Sequence, residues 1–135
     1  MRDHANILVA DDDRDDQLLF REALERSCGG RCSVQAVYNG VELLQRLHER
    51  DVQMPDLIVL DLNMPLKDGV ATLREIRSEK RYNQLPVFIL STSSRPDDIT
   101  ECRQLGCSNY YVKPYRLTEY NNIISDMMLR TFHEV

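Results

Sequence analysis

No apolar run in this sequence approaches the roughly 20 residues that a membrane-spanning helix needs. The first residues, Met1-Arg2-Asp3-His4, lead straight into a short apolar run and lack the pattern of a secretory signal. Excess basic charge is missing too. Lysine and arginine number 17 against 22 acids, a net charge of −5 and a pI of about 5.2, which argues against a nucleic-acid-binding face. The four cysteines, Cys28, Cys32, Cys102 and Cys107, form no secreted framework, and no histidine stands at ligand spacing beside them. Buried, reduced thiols are expected, with Cys28 and Cys102 on apolar helix faces. Linkers, repeats and low-complexity stretches are absent. The 135 residues suit one domain, 1–135, with an ordinary core and no room for a fused output domain. A cytoplasmic location is the default.

What the chain does contain is a fivefold alternation of short apolar runs with longer amphipathic ones. Asn6–Ala10 is too short and too uniformly apolar for a surface helix and predicts a buried strand. The pairs Leu19/Phe20, Ala23/Leu24 and Ser27/Cys28 predict a helix from Asp15 to Cys28, stopped by Gly29-Gly30. A strand near Ser33–Val37 precedes Asn39-Gly40 and a helix with Val41, Leu44, Leu47 and His48 on one face. Leu57–Leu60 is the third strand; Val70, Leu73 and Ile76 line the helix after Asp68-Gly69. Pro86 introduces a strand at Val87–Leu90. Pro96 opens a helix whose core face carries Ile99, Cys102 and Leu105 and which Gly106 ends. Tyr110–Val112 and a last helix with Leu117, Tyr120, Ile124, Met127 and Met128 complete the series. Strands this poor in polar residues, separated by helices, imply a parallel five-stranded α/β sheet covered on both faces.

In such a doubly wound sheet, ligands bind beyond the C-terminal strand ends. The residues delivered there are Asp11, Asp12 and Asp13, then Asp61, then Ser91 and Thr92, then Lys113. Five of the six residues from Asp11 to Asp16 are aspartate, and like charges so crowded need something positive among them. A hard divalent cation such as Mg²⁺ answers that need, with Asp11 and Asp12, at the end of a buried strand, in the metal role. For Asp13, Asp15 and Asp16 the preferred reading is a solvated acidic turn, with Asp13 or Asp15 capping the helix. Tyr115, Tyr120 and Met128 offer a partner surface in principle, but their helical spacing favours core packing.

Four pieces carry a resemblance: Val9-Ala10-Asp11-Asp12-Asp13, Leu60-Asp61-Leu62-Asn63-Met64-Pro65 with Asp68-Gly69, Pro86–Thr92, and Tyr111-Val112-Lys113-Pro114. The separations between Asp11, Asp61, Ser91 and Lys113 are 50, 30 and 22 residues. In this order and spacing the chain resembles the receiver domain of two-component response regulators, particularly the stand-alone kind of chemotaxis signalling. The resemblance implies a flavodoxin-like (βα)5 fold with strand order 2-1-3-4-5. It implies that Asp61 is the phosphorylation site, taking a phosphoryl group from a histidine kinase or phosphotransfer protein, with Lys113 and Ser91 as the other catalytic residues. Mg²⁺ would be held by Asp12, Asp61 and the Asn63 carbonyl, and by Asp11 through water. Such a protein is a switch that catalyses its own phosphorylation and dephosphorylation, not an enzyme with a separate substrate. Its output would pass through protein contacts with an unnamed downstream target, at a face made by the fourth helix, fifth strand and fifth helix. The Lys113–Pro114 bond is expected to be cis. Ser91 and Tyr110 map to the switch pair; for Tyr110 ordinary edge packing with a wet hydroxyl is an equal alternative. Ser91 stands where threonine is frequent, and Thr92 where a small residue is, which narrows access to the phosphoryl group.

Two other classes compete. A docking module that is never phosphorylated would be expected to lack a pocket acid or the lysine, yet Asp11, Asp12, Asp61, Ser91 and Lys113 are all present. A haloacid-type phosphatase carries a second aspartate two residues after its nucleophile, where this chain has Asn63, and a flavin phosphate would be repelled by Asp11–Asp16.

Overall fold

Each central strand divides its apolar residues between two cores, which is why those strands read as unbroken apolar runs. A computed structural model describes residues 4–132. In it β1 (Ala5–Ala10), α1 (Arg14–Cys28), β2 (Cys32–Val37), α2 (Gly40–His48) and β3 (Leu57–Leu60) are followed by α3 (Gly69–Ser78) and β4 (Val87–Ser91). Then come α4 (Pro96–Gln104), β5 (Asn109–Val112) and α5 (Leu117–Phe132). All pairings are parallel and the strand order is β2-β1-β3-β4-β5, as expected. Leu8, Ile58, Leu60 and Ile89 pack on one face against Leu43, Leu73, Ile76 and Cys102 of α2, α3 and α4. Ile7, Val9, Val59 and Phe88 pack on the other against Phe20, Leu24, Tyr120 and Ile124 of α1 and α5. Each such side chain, fully buried, contributes roughly 1.5–3 kcal/mol of transfer free energy. Among the described residues no helix is long and apolar enough to cross a membrane.

Two helices are rotated from their expected orientation. In α1 the buried positions are Gln17, Phe20, Ala23 and Leu24, while Leu19 is 40% exposed. Gln17 points inward because its amide donates to the carbonyls of Asp11 (3.1 Å) and Val37 (2.9 Å), tying α1 to the ends of β1 and β2. In α2 the core stripe is Leu43, Leu44 and Leu47; Val41 is half-buried. His48 is exposed, stacked on Tyr82 and 2.8 Å from the Glu79 carboxylate. A leucine gains more from that core than an imidazole, so α2 turns to bury Leu43.

All four cysteines are free, but only Cys102 is fully buried; Cys28, Cys32 and Cys107 are half-buried. Burial pushes the Cys32 and Cys102 thiols up to about 12, so neither forms a reactive thiolate near neutrality. Core packing accounts for Tyr120 and Met128, whereas Tyr115 is fully exposed.

Candidate functional site

The sheet order changes direction between β1 and β3, and the crevice this opens is where Asp11 and Asp61 emerge. Ala10 lies beside Leu60 in register, so the residues that follow them are neighbours. The Asp61 backbone N–H donates to the Ala10 carbonyl at 2.9 Å, and that of Asp11 to the Val37 carbonyl at 3.1 Å. One carboxylate oxygen from each of Asp11, Asp12 and Asp61 lies within 4.8 Å of the others. Asp11 and Asp61 are buried; Asp12 is exposed at the rim.

Lys113 extends the β4–β5 ladder, its N–H donating to the Ser91 carbonyl at 2.8 Å. That register aims the ammonium at the acids: Nζ is 2.8 Å from Asp11, 2.7 Å from Asp16 and 3.2 Å from Asp61, with the lysine side chain only 7% exposed. Burial pulls the amine down, but hydrogen bonds to Asp11 and Asp16 and the charges of Asp11 and Asp61 outweigh it and hold it above the ordinary lysine range. The expected cis bond is not found: among the described residues every peptide bond is trans. Strand register alone delivers the lysine, and trans is the lower-energy isomer.

Asp16 is the residue that sequence reasoning misplaced. Asp13 does cap α1, its carboxylate accepting the N–H groups of Asp15 (2.9 Å) and Asp16 (3.1 Å), and Asp15 is exposed. Asp16 instead turns its carboxylate to Lys113. Its signal was positional: three residues past the cap, it shares the cap's face of the helix.

Ser91, at the end of β4, is completely buried, and its Oγ accepts the Ser93 N–H at 3.2 Å. Tyr110 lies inward, 8% exposed, and its hydroxyl donates to the Ser93 carbonyl at 2.7 Å. The edge-packed side chain with a wet hydroxyl is therefore not what the fold adopts. Asn63 and Thr92 are exposed on the loops that rim the crevice. In the loop carrying Asn63, Leu66 is 82% exposed and has a φ of 65°, a conformation that costs a non-glycine residue energy and clusters at functional sites.

A family model described as the response regulator receiver domain matches residues 7–125. The chain belongs to that family. The receiver domain is 38% identical over 113 residues to the transcriptional regulatory protein PrrA of Mycobacterium bovis, an alignment covering 84% of this chain and 45% of PrrA. It thus spans about half the length of the curated relatives it matches. Over nearly full length its fold matches the phosphorylated cyanobacterial phytochrome response regulator RcpA, with TM-score 0.87, 32% identity and coverage of 98% and 97% of the two chains. It also matches the Mn²⁺-bound form of response regulator Rcp1, with TM-score 0.84, 27% identity and coverage of 97% and 96%. The chain is accordingly a signalling switch of two-component systems, and its acidic cluster fits a phosphoacceptor site. Three carboxylates so close together also make a donor set of the kind a hard divalent cation takes.

The receiver domain's acid pocket carries its own pH signature. Burial pushes Asp11 up to about 6, against the pull of Lys113, and repulsion from Asp61 adds to the rise. Folded Asp11 therefore holds its proton more tightly than the unfolded chain does. The stability this gives is fully present below the unfolded value of 3.8 and is lost as pH rises through about 6. The whole shift corresponds to roughly 3 kcal/mol, which solvent at the rim screens to about 2 kcal/mol. Metal-free wild type should lose about 2 kcal/mol relative to Asp11→Asn between about pH 4 and pH 7. Urea unfolding across that range checks it; parallel pH profiles would refute it.

Proposed function

We propose that Asp61 is the phosphoacceptor, taking a phosphoryl group from a phosphohistidine on a partner histidine kinase or phosphotransfer protein in the cytoplasm. The observation that carries this reading is the meeting of Asp11, Asp12 and Asp61 with the buried Lys113 ammonium at the ends of β1, β3 and β5. The fit of that donor set favours Mg²⁺, held by Asp12, Asp61 and the Asn63 carbonyl and by Asp11 through water. Bound there, the ion would offset negative charge on the transferring phosphoryl group.

The chain's own residues do the rest. Asp61 Oδ1 accepts the Leu62 N–H at 2.7 Å and Oδ2 faces Lys113, so the nucleophile is oriented before a donor arrives. As an Asp61 oxygen bonds to phosphorus, the N–P bond of the phosphohistidine breaks and its electron pair returns to the imidazole. Lys113 donates to one phosphoryl oxygen and Ser91 its hydroxyl to another. Water attacking phosphorus later releases inorganic phosphate and restores the carboxylate. The domain thus catalyses its own phosphorylation and resetting. Ser91 turning toward the phosphoryl group would bias the inward Tyr110 and alter the α4–β5–α5 face, passing the signal by protein contact.

The test is to mix the protein with acetyl phosphate, with Mg²⁺ or with a chelator, and take an intact mass followed by peptide mapping. One phosphoryl group should appear, on the Asp61 peptide, only with the ion. Wild type that gains none leaves a docking module as the better description.

A further inference from the structure

Lys113 has three N–H donors and three carboxylates to receive them, and the shortest contact is to Asp16, at 2.7 Å. Its other two partners, Asp11 and Asp61, also belong to the three-carboxylate cluster that fits a divalent cation, and Asp16 does not. A cation in that cluster would draw Asp11 and Asp61 toward itself and leave Asp16 as the counter-ion that remains the lysine's own. Asp16 suits this part. Its backbone N–H is pinned by the Asp13 cap at 3.1 Å, so its carboxylate stands on the first turn of α1 in a fixed place. Its side chain is 27% exposed against 7% for the lysine, so it keeps part of its hydration.

We propose that Asp16 is a positioning residue that shares the Lys113 ammonium with Asp11 and Asp61 and, when a cation draws those two carboxylates to itself, keeps the lysine at the crevice for the phosphoryl oxygens. This rests on the phosphoacceptor reading above. Without Asp16 the lysine has only Asp11 and Asp61 as partners, so it holds them more tightly and competes harder with an incoming cation.

The experiment is a double-mutant cycle read by calorimetric Mg²⁺ titration of the metal-free protein. Asp16→Asn should weaken Mg²⁺ binding at least about fivefold in wild type but only about twofold with Lys113→Met, where just the lost charge remains. Asp15→Asn removes a charge from the same helical turn without touching the lysine, and should weaken binding no more than about twofold. Asp16→Glu, which keeps the charge, should recover most of the affinity. Equal weakening in both lysine backgrounds overturns the proposal. If Lys113→Met does not fold, equal weakening by Asp16→Asn and Asp15→Asn overturns it instead. Wild type that neither binds Mg²⁺ nor takes up phosphoryl defeats the parent reading; wild type that does both, with no coupling in the cycle, defeats only the role of Asp16.

Discussion

Asp61→Asn should take up no phosphoryl group from acetyl phosphate and should unfold at a urea concentration no lower than wild type. An amide oxygen is too weak a nucleophile to replace the carboxylate, so the loss is complete rather than graded. The fold should not suffer, because the shape is kept. The Leu62 N–H, now 2.7 Å from Asp61 Oδ1, finds the asparagine oxygen in the same place. Lys113 gives up only its longest carboxylate contact, at 3.2 Å, and keeps Asp11 and Asp16. Meanwhile one of the buried, mutually repelling acids is gone, a relief on the order of 1 kcal/mol in metal-free protein. Intact mass and urea melts on one preparation decide both halves. Undiminished phosphoryl uptake would move the acceptor to another residue and undo the assignment of Asp61.

The parts of this fold that were legible in the sequence are those where one physical demand acts alone. β3 and β4 are buried on both faces, and nothing but an apolar run satisfies that, so Leu57–Leu60 and Val87–Leu90 announced themselves. The rim followed from them, since the residue after such a run must stand at the strand's end. Legibility failed where two choices differed only through distant partners. Leu18, Leu19 and Phe20 of α1 are adjacent apolar residues, and helical periodicity admits more than one inward face. The carbonyls of Asp11 and Val37 decide it by recruiting Gln17, a residue with no apolar signal at all. In α2 the choice between Leu43 and His48 is settled in the same way by the sheet beneath. Asp16 is the sharpest case. Among the five aspartates of Asp11–Asp16 no local feature marks the one that meets a lysine 97 residues away. Only the helical phase set by the Asp13 cap could have singled it out.

Gly69→Ala should cost roughly 3 kcal/mol of stability and at least about tenfold in the rate of phosphoryl uptake. A Cβ at this position would lie 2.2 Å from the Asp61 carbonyl oxygen and 2.7 Å from the Leu62 Cα. Both are backbone atoms, so no side chain can rotate aside to make room. Helix propensity pulls the other way, since alanine is favoured over glycine inside a helix by about 1 kcal/mol. Steric overlap well inside van der Waals contact exceeds that gain. Gly69 is also anchored, its N–H donating to the Leu62 carbonyl at 2.9 Å, while Asp68 caps α3 through the Ala71 N–H at 2.9 Å. Relief therefore requires either the start of α3 to lift, breaking that bond, or the end of β3 to shift and carry Asp61 with it. The second route moves the nucleophile relative to Asp11 and Lys113, which is why activity should fall along with stability. Urea unfolding and timed intact-mass measurements read the two effects. An alanine variant as stable as wild type would mean that the α3 terminus and the Asp61 strand end are not in the contact described.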